Sequence, residues 1–255
     1  MMRTLLRLSA PVMAAAGLAM AGPGMAQDRP TVVLVHGAWA DGSSWAEVIP
    51  HLHDAGLKVV AVQLPLSSLE ADVATVTRAI EDQSGDVVLV AHSYGGVVIS
   101  EAGNHAQVKS LVYVAAFAPG PNQSVNAILS AFPQPEWFSS LHADAQGWVT
   151  WPAEPMARWF SAGLPARQQA VLAAVQHPTF FGVNDGAIGG TPAWSNRPTH
   201  YVVADADQII PAQLQMHFAT TMTATITHAD GGHLIMLAQP RPVADAIIAA
   251  VAAVD

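Results

Sequence analysis

The segment Asp86-Val87-Val88-Leu89-Val90-Ala91-His92-Ser93-Tyr94-Gly95-Gly96 decides the fold. Its first half, Asp86 to Ala91, is an unbroken apolar and β-branched run of strand length. Such a run suits a strand buried on both faces of a parallel sheet. A helix is expected to begin abruptly at Tyr94 and to run to about Ala102. The glycines stand where the backbone must turn sharply between the two. A serine on such a strand-to-helix turn is lifted above the sheet edge, the arrangement of a nucleophile elbow. The first position of the motif is Ala91 rather than glycine, a departure small enough to fit.

The same alternation extends in both directions. Strands are expected at Thr31–Val35, Lys58–Val62 and Val108–Ala115. One helix follows Ser43 or Ser44 with Trp45, Val48, Ile49 and Leu52 on its inner face, and Gly56 ends it. A second is capped by Ser67 or Ser68 and runs to about Asp82, with Leu69, Val73, Val76 and Ile80 inward. Strand and helix in alternation predict an α/β fold, a mostly parallel sheet covered by helices on both faces.

At Pro119 the alternation stops. From 119 to about 196 there are nine prolines and five of the seven tryptophans, and Ala166–His177 is the clear helix of the stretch. This segment reads as an inserted lid. Beyond it come a strand at Tyr201–Ala204, a helix at Pro211–Thr221, a strand at Thr223–Thr227 and a closing helix at Pro242–Val254. Residues 27–255 therefore form one domain with its insert, a size that one core supports.

Composition limits the chemistry. Hydrophobic residues make up 51% of the 255 and charged residues only 11%, which excludes a disordered chain. The formal charge is -9, with no basic run, so nucleic acid and anionic membrane surfaces are poor candidate partners and neither is expected. With no cysteine there is no disulfide, no thiolate metal site and no cysteine nucleophile. His51 and His53, two apart on a helix, point to different sides and do not share a metal. No metal or cofactor is expected. Residues 1–26 read as a signal peptide: Arg3 and Arg7, an apolar run from Leu8 to Ala21, and small residues before Gln27. The run is broken by glycine and proline and falls short of the ~20 residues that span a bilayer. A periplasmic or secreted protein without an anchor is the expectation.

Chemistry-bearing residues gather at the C-terminal ends of the expected strands, the edge where open parallel sheets bind ligands. Ser93 is one. His36-Gly37-Ala38-Trp39 follows the first strand, and the amides of Ala38 and Tyr94 can converge as an oxyanion hole. Asp207 and His233 follow the last two strands, giving the order nucleophile, acid, base. Asp205 and His228 are alternatives to them; Asp207 lies in the turn and His233 in the loop, where the two roles need them. A serine needs a base to take its proton, and the base needs a carboxylate to orient it.

These segments together resemble the α/β-hydrolases of the group containing plant methyl esterases and hydroxynitrile lyases, with their bacterial relatives. The resemblance rests on Val33-Leu34-Val35-His36-Gly37-Ala38, Ala91 to Gly96, Tyr201 to Pro211, and Gly232-His233-Leu234-Ile235-Met236-Leu237, so it covers essentially the whole mature chain. It implies Ser93 as nucleophile, His233 as base, Asp207 as orienter, and Ala38 and Tyr94 as oxyanion donors. It implies a serine hydrolase acting on small apolar carboxylic esters, with a lyase acting on cyanohydrins or a non-catalytic ligand-binding protein as alternatives. The lyases of this group carry a lysine beside the catalytic histidine and a threonine at the position of Gly37. This chain has Leu234 and Gly37 there, and its only lysines are Lys58 and Lys109.

Overall fold

The computed structural model describes residues 29–255. Residues 1–26, on which the signal-peptide expectation falls, lie outside them. In chain order the first half contains β1 (Thr31–Val35), α1 (Ile49–Asp54), β2 (Val59–Ala61), α2 (Leu69–Glu81), β3 (Val87–Ser93), α3 (Gly95–Ala102) and β4 (Val108–Ala116). The insert carries α4 (Val125–Leu129), β5 (His142–Ala143), β6 (Trp148–Thr150), α5 (Ala153–Pro155), α6 (Ala166–Val175) and β7 (Thr179–Phe180). The chain closes with β8 (Thr199–Ala204), α7 (Ala212–Thr221), β9 (Thr225–Ala229), α8 (Ile235–Ala238) and α9 (Pro240–Ala252).

Among the described residues, six strands form one parallel sheet in the order β2-β1-β3-β4-β8-β9. All of β1 and β3 is buried, as continuous apolar strands between two helical layers must be. The strand order reverses between β1 and β3, so the loops after these two strands diverge and leave a crevice between them. The loop after β1 begins at His36 and the turn after β3 holds Ser93.

Local chemistry sets the helix starts. The Ser68 hydroxyl accepts from the Ala71 amide and caps α2; the Ser124 hydroxyl caps α4 in the same way. The helix expected over residues 45–52 divides into a short turn at Gly42–Trp45 and α1. Asp41, rather than either serine, caps the turn by accepting from the Ser43 amide at 2.6 Å. Pro50, which has no N–H, stands in the first turn of α1, the position that tolerates it.

Between β4 and β8 the chain builds a cap. Its strands form a separate antiparallel sheet in the order β5-β6-β7. Their two- and three-residue lengths give no period to read in the sequence. Trp137, Trp151 and Phe160 of the cap are buried, and Trp151 and Phe160 lie edge-on to Trp39 at 5.6 and 6.0 Å. The cap is thereby packed onto the loop after β1. Among the described residues, no helix is long and apolar enough to cross a membrane.

Candidate active site

Ser93 ends β3 with φ at 54°, in the left-handed region. A non-glycine residue held there stores on the order of 1–3 kcal/mol. Close packing maintains it. A β-carbon at Gly96 would lie 2.1 Å from the Phe117 carbonyl oxygen, so only glycine lets α3 start this near the end of β4. A β-carbon at Gly37 would lie 2.6 Å from the Ser93 Cβ, so the loop after β1 also needs glycine where it passes the serine.

Three side chains from three loops form one hydrogen-bonded line. Ser93 Oγ lies 2.9 Å from His233 Nε2, and His233 Nδ1 lies 2.8 Å from Asp207 Oδ2. The imidazole and the carboxylate are both fully buried. The other carboxylate oxygen, Oδ1, accepts from the amides of Ile209 and Ile210 at 2.7 and 3.1 Å. Gln215 adds a fourth donor, its Nε2 lying 2.9 Å from Asp207 Oδ2. The Gln215 amide is itself fixed, since its Oε1 accepts from the Ala204 amide and its Nε2 also donates to the Ile210 carbonyl. With those bonds filled, His233 Nδ1 must be the donor to Asp207, which leaves the Nε2 lone pair facing the serine hydroxyl.

Asp205 and His228 sit elsewhere. They are exposed and pair with one another at 2.7 Å on the surface. His228 lies within β9, which ends two residues later than its sequence predicts.

Ala38 and Tyr94 flank Ser93 along one pocket. Among the described residues, the amide of neither donates to another protein group. Tyr94 is the residue before α3, so its N–H belongs to the electropositive end of that helix. Such donors suit a developing oxyanion. The remaining wall is chiefly apolar, with Phe117, Leu129, Trp137, Phe138, Phe181 and Ile209 as its larger members. Asn126 and Asn184 are the polar side chains on the cap side; Asn126 donates to Asp185 at 2.7 Å. The space is about 480 Å³, counting its mouth.

His92 and His36, which flank the site in the sequence without matching a catalytic position, support it from behind. His92 is fully buried; its Nε2 lies 2.9 Å from the His233 carbonyl oxygen, and its ring lies 4.5 Å from that of His233. Burial holds its basicity well below the usual histidine range, as does the proximity of His233. Nε2 is therefore the protonated nitrogen and donates to the His233 carbonyl. His36 is likewise pushed down by burial, to about 4. Its Nε2 accepts from the Leu64 amide and its Nδ1 donates to the Gly37 carbonyl, which pins the loop carrying Ala38. Phe160 of the cap packs edge-on against the His233 ring, with ring centres 5.3 Å apart. The cap reaches Phe160 through a wide turn, Met156–Phe160, closed by a bond from the Ser161 amide to the Met156 carbonyl.

Comparison with known proteins follows the same pattern. Residues 32–246 match the family model described as "Alpha/beta hydrolase family". The carbendazim hydrolyzing esterase of Nocardioides sp. (strain SG-4G) is 36% identical over 131 residues, 44% of this chain and 54% of that protein. Methyl jasmonate esterase 1 of Vitis vinifera is 30% identical over 130 residues, 45% of this chain and 46% of that protein. The chain thus spans about half the length of these two relatives. The crystal structure of polyneuridine aldehyde esterase superposes with a TM-score of 0.74 at 20% identity, over 87% of this chain and 98% of that one, a likeness of fold.

Proposed function

We propose a function from one premise: the chain belongs to the alpha/beta hydrolase family. It hydrolyses small, apolar carboxylic esters through a covalent acyl-enzyme on Ser93. The observation that carries this reading is the buried line from Ser93 Oγ through His233 to Asp207 at 2.9 and 2.8 Å, opening on an apolar pocket.

The chemistry follows from the geometry. Ser93 Oγ attacks the ester carbonyl carbon while His233 Nε2 takes the hydroxyl proton. Negative charge gathers on the former carbonyl oxygen, where the Ala38 and Tyr94 amides are the donors. Each such donor contributes roughly 10²–10³ in rate. Asp207 stays ionised and stabilises the imidazolium. As the tetrahedral species collapses, His233 returns the proton to the leaving alcohol oxygen. Water then attacks the acyl-enzyme, with His233 again as base, and releases the acid. The base must be neutral, so kcat/KM falls on acidification.

The absence of a cation beside the base favours hydrolysis over cyanohydrin cleavage. Leu234, next to His233, is buried and apolar. Lys109 lies at the start of β4, the opposite end of the sheet, 3.4 Å from Asp86. Lys58 precedes β2 at that same end. A leaving cyanide would find no lysine in a water-poor site, where an unpaired charge is costly. The threonine of the lyases has no room, given the 2.6 Å approach of a Gly37 β-carbon to Ser93. In an assay of p-nitrophenyl esters of increasing chain length beside mandelonitrile, ester turnover is expected and cyanide release is expected to be negligible at equal enzyme concentration. Robust cyanide release that is lost in Ser93→Ala would overturn the esterase reading.

Export belongs to the same reading. Residues 1–26 direct secretion and the mature chain begins at Gln27. N-terminal sequencing of protein recovered from a bacterial periplasm should begin at Gln27; a membrane-bound product starting at Met1 contradicts cleavage.

A further inference from the structure

A second carboxylate, outside the Ser93–His233–Asp207 line, is buried close to the nucleophile. Asp72 sits on α2 with no exposed surface. Its Oδ2 accepts from the Tyr94 hydroxyl at 2.9 Å and its Oδ1 from the Leu66 amide at 2.9 Å. Tyr94 directly follows Ser93. Leu66, with φ at 51°, lies in the loop between β2 and α2, and its carbonyl accepts from the Phe180 amide of β7 in the cap. The neighbouring β7 residue, Thr179, accepts through its hydroxyl from the Trp39 amide at 3.0 Å, next to Ala38. Trp39, Leu66 and Ser93 are all non-glycine residues in the left-handed region, with φ of 58°, 51° and 54°. Three strained backbone positions around one site persist only where their surroundings hold them.

We infer that Asp72 is a positioning residue of the hydrolytic site: by gripping the Tyr94 phenol and the Leu66 amide, its carboxylate fixes the turn that presents Ser93 and the Tyr94 N–H and ties that turn to the cap. The inference rests on the esterase reading above. Two features favour it over a purely structural role. A buried carboxylate is costly to desolvate, and the bonds that compensate Asp72 come from the Tyr94 hydroxyl and the Leu66 amide rather than from a cation. The bond it makes is to the side chain of the residue whose amide serves the oxyanion, so a slackened grip moves a transition-state contact rather than a binding contact.

The grip is sensitive to pH. Burial raises the pKa of Asp72 to about 6, against the opposing pull of the Tyr94 and Leu66 hydrogen bonds and of His177. Tyr94 is pushed far up by burial and by Asp72, so it remains a protonated donor. His177 lies at the cap side with its Nε2 3.4 Å from the Pro65 carbonyl, and His36, on the β1 side, is held neutral by burial. Above about 6, Asp72 is a carboxylate that accepts both bonds; as pH falls through that value it gains a proton, and the charge-assisted bond to Tyr94 is replaced by a neutral one. Acidification therefore acts twice, on the base and on the turn.

The test uses the full-length protein, p-nitrophenyl esters, and two near-isosteric variants whose folding is checked by circular dichroism and melting. Tyr94→Phe keeps the ring and removes the grip. Its kcat should fall about ten- to a hundredfold with KM within about twofold, short of the loss of a whole oxyanion donor. Asp72→Asn keeps a bond to each partner and cannot ionise. Its kcat/KM should decline in acid with the slope of a single ionisation, where the wild type declines more steeply. A kcat within twofold of wild type in Tyr94→Phe, or the same acid slope in wild type and Asp72→Asn, overturns the inference. Wild-type protein that turns over no ester overturns the esterase reading, and the inference falls with it; an active wild type with unaffected variants overturns the inference alone.

Discussion

Ser93→Ala should lower kcat for any ester substrate by about 10⁶-fold, the scale seen when a triad nucleophile is removed, while leaving the melting temperature close to that of the wild type. The serine hydroxyl makes one side-chain hydrogen bond, to His233 Nε2, so its loss opens no large cavity and strands only a nitrogen lone pair. The alanine β-carbon occupies the place of the serine β-carbon against Gly37. The strained backbone at position 93 is retained. Substrate binding in the apolar pocket should also survive, so KM should move far less than kcat. A variant with turnover near the wild-type value would show that the nucleophile is elsewhere.

Asp207→Asn should cost about 10⁴-fold in kcat, as replacing a triad carboxylate by its amide does when the base is forced into the wrong tautomer. The surroundings of Asp207 dictate that outcome here. Oδ1 faces two backbone N–H groups, from Ile209 and Ile210, so the asparagine oxygen must take that side. Its NH₂ then faces His233 Nδ1 and the Gln215 amide nitrogen. Gln215 cannot turn away, because the Ala204 amide and the Ile210 carbonyl hold both its ends. His233 must therefore present a lone pair at Nδ1 and carry its proton on Nε2, where it cannot accept from Ser93. Asp205→Asn changes only an exposed pair with His228 and should leave kcat within about twofold, since exposed pairs of this kind contribute little. The reverse ranking of the two variants would assign the orienting role to Asp205.

The parts legible in the sequence are those in which local pattern and tertiary demand coincide. Thr31–Val35 reads as a buried strand and is one, residue for residue. The turn at Ser93 is legible from the glycines beside it, although the left-handed residue is Ser93 itself, and Gly96, inside α3, is needed for its close approach to the Phe117 carbonyl rather than for the turn. The cap is less legible. Its strands are two or three residues long, and its proline and tryptophan content marks an insert without giving an architecture. Asp72 escapes for a different reason. It stands three residues after Leu69 and four before Val76, on the stripe that faces the core, but an acidic residue in the first turn of a helix reads as a favourable charge at the helix start. Gln215 is hidden differently on α7: it is neutral, stands between Leu214 and Phe218, and carries no charge to mark it. A polar residue at a core-facing position was the available signal in both cases. The motif gives the elbow tyrosine a role through its amide alone, and nothing in its sequence neighbourhood points to a carboxylate 22 residues earlier.

The most direct test of the central claim is covalent labelling by a fluorophosphonate, with the modified peptide identified by mass spectrometry. Ser93, activated by His233, should take up one equivalent of the phosphonyl group, with fluoride as the leaving group. Labelling should vanish in Ser93→Ala and fall steeply in His233→Ala. A label on any other residue, or a wild-type protein that stays unmodified while it hydrolyses esters, would contradict the assignment of Ser93 as the nucleophile.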